Sequence, residues 1–524
     1  MLHIDAHFPG GGVDRVRFPA PDVIQFEAPM DESPQSLWYA FRVRGAAGRR
    51  LTLRQTGLER VLGVFESRGY APVIPVFREH DGDWQRVDED GIVYSQDPLY
   101  FSFAITPRTD ECFVAFCFPY QFSDWERFVR TLPAELIHTD VLGKTMEGRD
   151  FPRLLLGRPD LPSVRRMVVL SARQHAGEVS GSYALEGLLS RLTQPDMAGL
   201  LETTLFCVFP ILDLDSVEEG RYGKDRFPAD FNRDWKLNPY HPEIRLVQAE
   251  LERLAARFRP VWGLDLHAPQ PGGASYMPPS TSYPRGSELW RQTWNLGIAF
   301  EDHCRGKVSF HLGDVDTEVL NWGGVNDSNL IGAYYLARWR CPFNCFELSY
   351  HRDGELRPLT RQTWREMGAL LAEALVPFAL DDTYGQNPPD ESRIPAWALP
   401  PVLGRWKTTR RTVAMQLDDH GDSLTLMPQA QQNFAWVTSA LYSYLPQDRR
   451  AVGLRARGEC KLKAYFSFFE NGLLVRRTRE EALAFTGEAV LNMPPPPSEV
   501  CSWAVSLIAE DLPADLCVEV PRHD

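Results

Sequence analysis

Hydrophobic and polar positions alternate along the first 125 residues in short runs that are separated by turns. The runs "WYAFRVRG", "RLTLRQTG" and "YFSFAI" are rich in aromatic and β-branched residues and repeat with a period of two. A period of two places successive side chains on opposite faces of a strand, and no long stretch of helical period interrupts it. Residues 1–125 are therefore predicted to form an N-terminal antiparallel β-sandwich.

From about Trp125 onward, apolar strands alternate with amphipathic helices. The strand "RRMVVLSA" precedes the helix "SGSYALEGLLSRL", and "TTLFCVFPIL" precedes "HPEIRLVQAELERLAARF". This alternation predicts an α/β domain with a mixed sheet over residues 126–385. Residues 386–401 are predicted to be a linker, because the segment is rich in proline. Strand-like runs return over 402–524, and their spacing along the chain resembles that of galactose-binding-like jelly rolls.

Composition narrows the class of protein. The chain has 524 residues, of which 44% are hydrophobic, and its net charge of −14 repels phosphate, so no nucleic-acid partner is expected. Neither a signal peptide nor a run of ~20 apolar residues is visible, so no membrane partner is expected. The nine cysteines are scattered, and their odd number favours reduced thiols and a cytoplasmic location. The oligomeric state does not follow from the sequence.

Polar residues stand where two predicted strands end. His175 and Glu178 follow the strand "RRMVVLSA", and His267 ends the strand "VWGLDLH". Ligands bind at the carboxyl ends of strands in open α/β sheets, and two imidazoles with one carboxylate form a ligand set typical of catalytic zinc. Asp265, two residues before His267, either orients that ligand or makes an ordinary hydrogen bond at the strand end. Singly, each of these residues is more typical of a structural role.

A basic loop, "GRYGKDRFPADFNRDW", lies between these strands. Its four cationic residues are Arg221, Lys224, Arg226 and Arg233. The loop is either solvated and paired with its own aspartates or an anion site. In the second interpretation Asn232 and Arg233 hold a substrate carboxylate, because arginine offers a two-pronged donor, and Arg226 faces a developing oxyanion.

Glu347 is the one carboxylate within the apolar strand "FNCFEL". A charge on a buried strand must be paired or functional, because burial of an unpaired charge is costly. Its place near the strand end suits a general base that takes a proton from an attacking water.

The ordered motifs "RQHAGE", "NRDW", "DLH" and "FELSY" together resemble the zinc carboxypeptidase family. The junction "CFVAFCFPYQFSDWERF" is similar to that of its cytosolic carboxypeptidase branch, including bacterial members, and the resemblance spans about residues 1–380. It implies one zinc ion, with the ligands His175, Glu178 and His267, and Glu347 as the catalytic glutamate. It further implies that Asn232 and Arg233 grip the terminal carboxylate of a peptide or protein tail.

Other assignments stay open at this point. Arg226 is the first choice for the arginine that supports the polarised carbonyl, with Lys224 and Arg221 as competitors. Ala176 departs from the proline that is common in the family, and the substrate tyrosine has only Tyr350 and Tyr276 as candidates.

The resemblance makes removal of C-terminal acidic residues, especially glutamate, a plausible activity. A zinc amidase or deacylase for N-acyl amino acids or cell-wall peptide fragments is an alternative. A second alternative is a non-catalytic module that binds carbohydrate or protein, which the C-terminal rhythm suggests.

Overall fold

The structure is a computed structural model. It describes residues 2–30, 37–58, 73–80, 82–224, 226, 229–236, 238–269, 275–277, 288–310, 312 and 330–393. Beyond residue 393 it describes strands only, between Lys407 and Glu519.

The chain divides into two compact units. The first comprises Met1–Pro278, Asn295–Asp314 and Phe343–Gly385, and the second comprises Pro279–Trp294, Val315–Pro342 and Gln386–Asp524. The predicted N-terminal part thus shares a unit with most of the predicted α/β part. The predicted domain boundaries stay predictions, and residues 394–401 of the predicted linker lie outside the described residues.

The N-terminal part consists of two five-stranded sheets, with the orders β1-β4-β10-β6-β7 and β2-β3-β5-β9-β8. The strands are β1 (His3–Asp5), β2 (Asp14–Ala20), β3 (Val23–Glu27), β4 (Ala40–Arg44), β5 (Leu51–Thr56), β6 (Val76–Glu79), β7 (Gln85–Arg86), β8 (Val93–Gln96), β9 (Leu99–Ile105) and β10 (Glu111–Ala115). The ring of Phe26 on β3 lies 4.9 Å from that of Phe41 on β4, so side chains of the two sheets share a core. The prediction of a β-rich N-terminal part is confirmed.

One strand pair departs from the predicted antiparallel arrangement. Strands β3 and β5 pair in parallel, with Val23 opposite Thr52. Between them the chain crosses to the other sheet as β4, so β5 returns in the direction of β3. The alternation of polar and apolar residues within a strand carries no information about this crossing.

The central part is built on a six-stranded sheet with the order β11-β12-β14-β13-β15-β16. The prediction of a mixed sheet is confirmed. The strands are β11 (Ile137–Lys144), β12 (Asp150–Leu156), β13 (Arg166–Ala172), β14 (Thr204–Phe209), β15 (Arg259–His267) and β16 (Phe343–Glu347). Strands β14, β13, β15 and β16 are parallel, whereas β11 and β12 pair antiparallel. The parallel strands are almost wholly buried, which explains their continuous apolar sequences.

The described helices are α1 (Phe122–Val129), α2 (Ser180–Leu192), α3 (Ala198–Leu201), α4 (Leu214–Glu218), α5 (Pro242–Ala255), α6 (Glu288–Cys304), α7 (Ile331–Trp339) and α8 (Arg361–Leu380). None of these helices combines the length and hydrophobicity that a bilayer crossing requires.

The register of the parallel strands brings separated polar residues to one edge of the sheet. Ser171 on β13 lies opposite Asp265 on β15, and His267 on β15 lies opposite Glu347 on β16. All three strands point the same way, so the loops that follow them begin side by side. His267 and Glu347, two of the predicted site residues, lie at this edge of the sheet.

Arg86 on β7 joins the N-terminal part to the segment that follows β16. Its guanidinium donates to the carbonyl oxygens of Tyr350 at 2.7 Å and Leu359 at 3.0 Å. It also donates to Ile74 O at 2.6 Å and lies over the ring of Phe118. Burial lowers the pKa of Arg86, and the carbonyl dipoles take the place of a direct carboxylate partner.

Helices α2 and α8 cross with their backbones in close approach at two glycines. A Cβ atom on Gly187 would lie 1.9 Å from Arg365 O, and one on Gly368 would lie 1.8 Å from Ala184 O. Only glycine fits at either position, because a real Cβ contact is never that short. The crossing holds α2, whose first turn directly follows Glu178, against the sheet.

The C-terminal strands form one ten-stranded sheet in which every described pair is antiparallel. The strands are β17 (Lys407–Thr408), β18 (Val413–Leu417), β19 (Ser423–Pro428), β20 (Ala435–Thr438), β21 (Tyr442–Ser443), β22 (Ala451–Glu470), β23 (Leu473–Arg477), β24 (Glu481–Asn492), β25 (Ser502–Asp511) and β26 (Leu516–Glu519). Along β22, buried Val452, Leu454 and Leu462 alternate with exposed charged residues, so one face of the strand is apolar.

The close crossing of α2 and α8 predicts the effect of one added methyl group. Gly368→Ala should lower the free energy of unfolding by about 3 kcal/mol or more, because Ala184 O is backbone and cannot move aside. Gly199→Ala on α3 is the matched control, since nothing lies within 4 Å of its added Cβ. Chemical denaturation of both variants measures the difference, and equal stability of the two would contradict the close crossing.

Candidate metal centre

Three side chains from two strand ends converge on one point. One ligand atom each of His175, Glu178 and His267 lies within 4.8 Å of the other two. His175 Nδ1 is 2.9 Å from Glu178 Oε1, and His267 Nδ1 is 2.7 Å from Glu178 Oε2. All three residues are buried. The prediction that these residues come together is confirmed.

Two local features shape the turn after β13 that carries His175 and Glu178. Arg173 has a positive φ of 58°, a strained conformation for a residue with a side chain, and its Nε donates to Ala176 O at 2.8 Å. A Cβ atom on Gly177 would lie 2.3 Å from the Tyr222 ring. Gly177 is therefore required by the approach of Tyr222, while the left-handed residue of the turn is Arg173.

Each imidazole contacts a second carboxylate through its other nitrogen. His175 Nε2 lies 3.1 Å from Asp230 Oδ2, and His267 Nε2 lies 2.6 Å from Asp265 Oδ2. A carboxylate on Nε2 keeps the proton there and leaves the Nδ1 lone pair free for a metal. The residues therefore fit a zinc ion, because they supply two oriented imidazole nitrogens and one carboxylate.

The buried charge of Glu178 dominates the electrostatics of this group. Burial raises the pKa of Glu178, but the two imidazoles and Lys224 hold it well below its ordinary value. Burial lowers the pKa of His175, yet the Glu178 and Asp230 carboxylates outweigh burial and raise it to about 9. Burial also lowers the pKa of His267, but the Asp265 and Glu178 carboxylates raise it well above its usual value. The centre thus attracts positive charge, which a divalent cation would supply.

Glu347 stands beside this group at the end of β16. Its backbone pairs with Tyr276 through two hydrogen bonds of 2.9 Å. Burial raises the pKa of its carboxyl group, and Lys224 partly offsets that effect. Among the described residues, no donor reaches the buried Glu347 Oε2. That oxygen is available to hold or transfer a proton.

The three cations that the sequence offers for an oxyanion lie in different surroundings. Lys224 is buried, and its Nζ donates to Glu178 Oε1 at 2.9 Å. Arg226 Nη1 donates to Asp213 Oδ1 at 3.1 Å and to Ser216 Oγ at 2.8 Å. Arg221 Nη1 donates to Glu147 Oε1 at 3.3 Å, near the protein surface.

The residues predicted to bind substrate are divided between the metal group and the core. Asn232 Nδ2 lies 3.4 Å from His267 Nε2, and the half-buried Arg233 donates to Asn232 O at 3.1 Å. Tyr350 is fully buried, and its hydroxyl lies 3.5 Å from that of Tyr222.

Three further residues at the centre were not identified from the sequence. Asp230 contacts His175, while Gln174 and Trp235 lie behind Asp265 and His267. The weak signal in the sequence was their position, since Asp230 and Trp235 flank the Asn232–Arg233 pair and Gln174 precedes His175.

Two protein-family models match the chain. The model described as zinc carboxypeptidase matches residues 123–284, and the model of the cytosolic carboxypeptidase N-terminal domain matches residues 4–118. The first range contains all three converging ligands. Residues 123–284 therefore form a domain of the zinc carboxypeptidase family.

Curated relatives carry names from the cytosolic branch of this carboxypeptidase family. Cytosolic carboxypeptidase 2 from Danio rerio is 30% identical over 171 residues, which are 30% of this chain and 24% of that protein. Human cytosolic carboxypeptidase 6 is 24% identical over 272 residues, which are 47% of this chain and 52% of that protein. The chain therefore spans about half or less of the length of these two relatives.

Solved structures show the same carboxypeptidase fold. A metallo-carboxypeptidase from Burkholderia cenocepacia superposes with a TM-score of 0.62 at 21% identity, covering 72% of this chain and 98% of that one. A metallo-carboxypeptidase from Pseudomonas aeruginosa, solved with (2-guanidinoethylmercapto)succinic acid, superposes with a TM-score of 0.60 at 22% identity, covering 71% and 98%. The matched family model is described as zinc carboxypeptidase, and His175, Glu178 and His267 are the ligand set that this chain offers for zinc.

The contact between His175 and Asp230 predicts a loss of zinc affinity in Asp230→Asn. The amide retains an acceptor for the Asn232 N–H, now 2.8 Å from Asp230 Oδ1, but lacks the charge that holds the imidazole. The dissociation constant for zinc should rise about 10–100-fold. Competition with a chromogenic chelator measures it. Asp196→Asn, which removes a carboxylate paired with Arg191 at the surface, is the control and should bind zinc as the unmodified protein does.

Proposed function

We propose that the chain is a zinc-dependent metallocarboxypeptidase that removes C-terminal amino acids from peptides or protein tails. The proposal is carried by the His175–Glu178–His267 group, with Glu347 beside it in strand register. Such a group pairs a metal site with a carboxylate that can move a proton.

In the proposed mechanism, Glu347 acts first as the general base and then as the general acid. Zinc, when bound, would act as a Lewis acid that polarises the scissile carbonyl and makes water a better nucleophile. Glu347 Oε2 accepts a proton from the attacking water and donates it to the departing amine. The raised pKa of Glu347, which burial causes, suits a group that must both accept and release a proton.

We assign support of the oxyanion to Lys224 in preference to Arg226. Lys224 is held at the centre by Glu178, whereas Arg226 is bound to Asp213 and Ser216. A buried cation beside the metal ligands is placed to stabilise negative charge that develops there. Arg226 would have to leave Asp213 to take the same role.

We further propose that Asn232 and Arg233 hold the free carboxylate of the substrate. Asn232 lies next to His267, and the guanidinium of Arg233 can bind a carboxylate through two donors. Fixing the chain terminus converts binding energy into orientation of the scissile bond. Tyr350 stays a predicted substrate contact, although its side chain is buried.

Glu347→Gln tests the assignment of the general base. Zinc content should be unchanged, because Glu347 is not a ligand, while turnover should fall about 10²–10⁴-fold. Elemental analysis and the release of C-terminal amino acids measure the two effects. Glu373→Gln on α8, which removes only a contact with Arg191, should keep both. Full turnover in zinc-loaded Glu347→Gln would show that the base is another group.

For the substrate we propose a preference for acidic C-terminal residues. The proposal rests on resemblance to the cytosolic branch. Arg221 and Lys224 stay predicted substrate contacts, and both already pair with carboxylates of the protein, Glu147 and Glu178.

A panel of peptides ending in Glu, Lys or Phe tests the substrate class. Each is offered with a free and with an amidated C-terminus, and released amino acids are measured. The free Glu peptide should be cut fastest, and amidation should slow cleavage about 10–100-fold through loss of a charged hydrogen bond to Arg233. Equal cleavage of the free and amidated forms would exclude a carboxypeptidase and favour an amidase.

For the C-terminal strands we propose a jelly-roll-like domain, which the uniformly antiparallel pairing around β22 supports. A carbohydrate ligand for this domain is part of the same prediction. A cytoplasmic location is also proposed, on the resemblance to the cytosolic branch.

A further inference from the structure

A chain of hydrogen bonds runs through the core behind His267. Trp235 Nε1 donates to Gln174 Oε1 at 2.7 Å, and Gln174 Nε2 donates to Asp265 Oδ2 through a short hydrogen bond. The same Asp265 oxygen lies 2.6 Å from His267 Nε2. Four side chains from three separate segments are thus connected in series, and the last of them is a metal ligand.

The direction of every bond in this chain is fixed by its first member. An indole N–H can only donate, so the oxygen of the Gln174 amide must face Trp235 and its nitrogen must face Asp265. A carboxylate only accepts, and Ser171 Oγ donates to its other oxygen at 2.7 Å. His267 therefore keeps a proton on Nε2, and Nδ1, which lies 2.7 Å from Glu178 Oε2, is the nitrogen that would bind zinc.

Because the four side chains of this hydrogen-bond series are buried, water cannot readily replace a bond that is lost. Trp235, Gln174 and Asp265 are 0% exposed, and His267 is 2% exposed. If the indole donor were lost, water could not easily reach Gln174, and its amide could turn over and direct its oxygen at Asp265. Two acceptors would then face each other beside the metal ligand.

Trp235 also belongs to the loop that carries Asn232 and Arg233. A 3-10 turn at Phe231–Arg233 leads directly into Trp235, and the Asp234 carboxylate accepts from the His241 N–H at 2.8 Å. The loop thus reaches His267 in two ways. Trp235 is connected to it through Gln174 and Asp265, and Asn232 lies directly beside it.

We propose that Trp235 and Gln174 are positioning residues that fix the tautomer and orientation of the zinc ligand His267. Through the same hydrogen bonds they hold the Asn232–Arg233 loop in place beside the metal centre. The inference rests on zinc binding at His175, Glu178 and His267. It does not depend on which substrate is cleaved.

Trp235→Phe tests the proposal, because it keeps an aromatic ring in place and deletes only the donor. The zinc dissociation constant should rise about tenfold, a difference of about 1.4 kcal/mol. Chelator competition measures the affinity, and the visible spectrum of the cobalt-loaded protein should shift as the geometry of His267 changes. Urea unfolding of the metal-free proteins reports stability separately.

Trp262→Phe is the matched control. Trp262 is also buried, at 1% exposure, and its Nε1 donates to the side-chain oxygen of Asn344 at 3.0 Å. It lies on β15, as His267 does, but its bond leads away from the metal ligands. This variant should lose comparable stability while its zinc affinity and cobalt spectrum stay unchanged.

A double-mutant cycle distinguishes a connected chain from two independent packing residues. Gln174→Leu should weaken zinc binding by itself, and adding Trp235→Phe to it should weaken binding no further. The proposal is wrong if the two effects simply add, or if Trp235→Phe and Trp262→Phe weaken zinc equally. Absence of zinc binding in the unmodified protein would overturn the metal site itself, whatever the variants do.

Discussion

The negative charge of Glu178, enclosed in the core at the end of β13, is the constraint on which the rest of this site depends. An isolated buried carboxylate would be too costly to keep, so it needs compensating groups close by. Two imidazoles, the Lys224 ammonium and the Ala268 N–H all reach it. They come from three stretches of chain: the turn that carries His175, the loop that carries Lys224, and the end of β15 with His267 and Ala268. Compensation of this one charge thus requires three segments to meet at Glu178.

Much of this arrangement can be predicted from the sequence, because the end of an apolar run marks the end of a buried strand. His175, Glu178 and His267 could be predicted because apolar runs stop just before or at them. Glu347 could be predicted because a charge interrupts an apolar strand. In a parallel sheet such ends share one edge, so position along the chain translates directly into position in space. The mixed sheet and the β-rich N-terminal part follow from periodicity in the same way.

The remainder depends on contacts between loops, which periodicity does not encode. Nothing in "ADFNRDW" states that Asp230 will meet His175 or that Trp235 will meet Gln174, because these pairs are far apart in sequence. Gly177 is a similar case, since the reason for it is the ring of Tyr222 that arrives from another loop. Which cation of the basic loop reaches Glu178 also became clear only from the fold.

Arg86 limits how the chain can be divided into exchangeable parts. Its guanidinium satisfies backbone carbonyls on both sides of the junction between the N-terminal strands and the segment after β16. The central part, if separated from those strands, would leave the Tyr350 and Leu359 carbonyls without this donor. We therefore expect the two parts to unfold together, and we expect recombination to exchange them only as a pair.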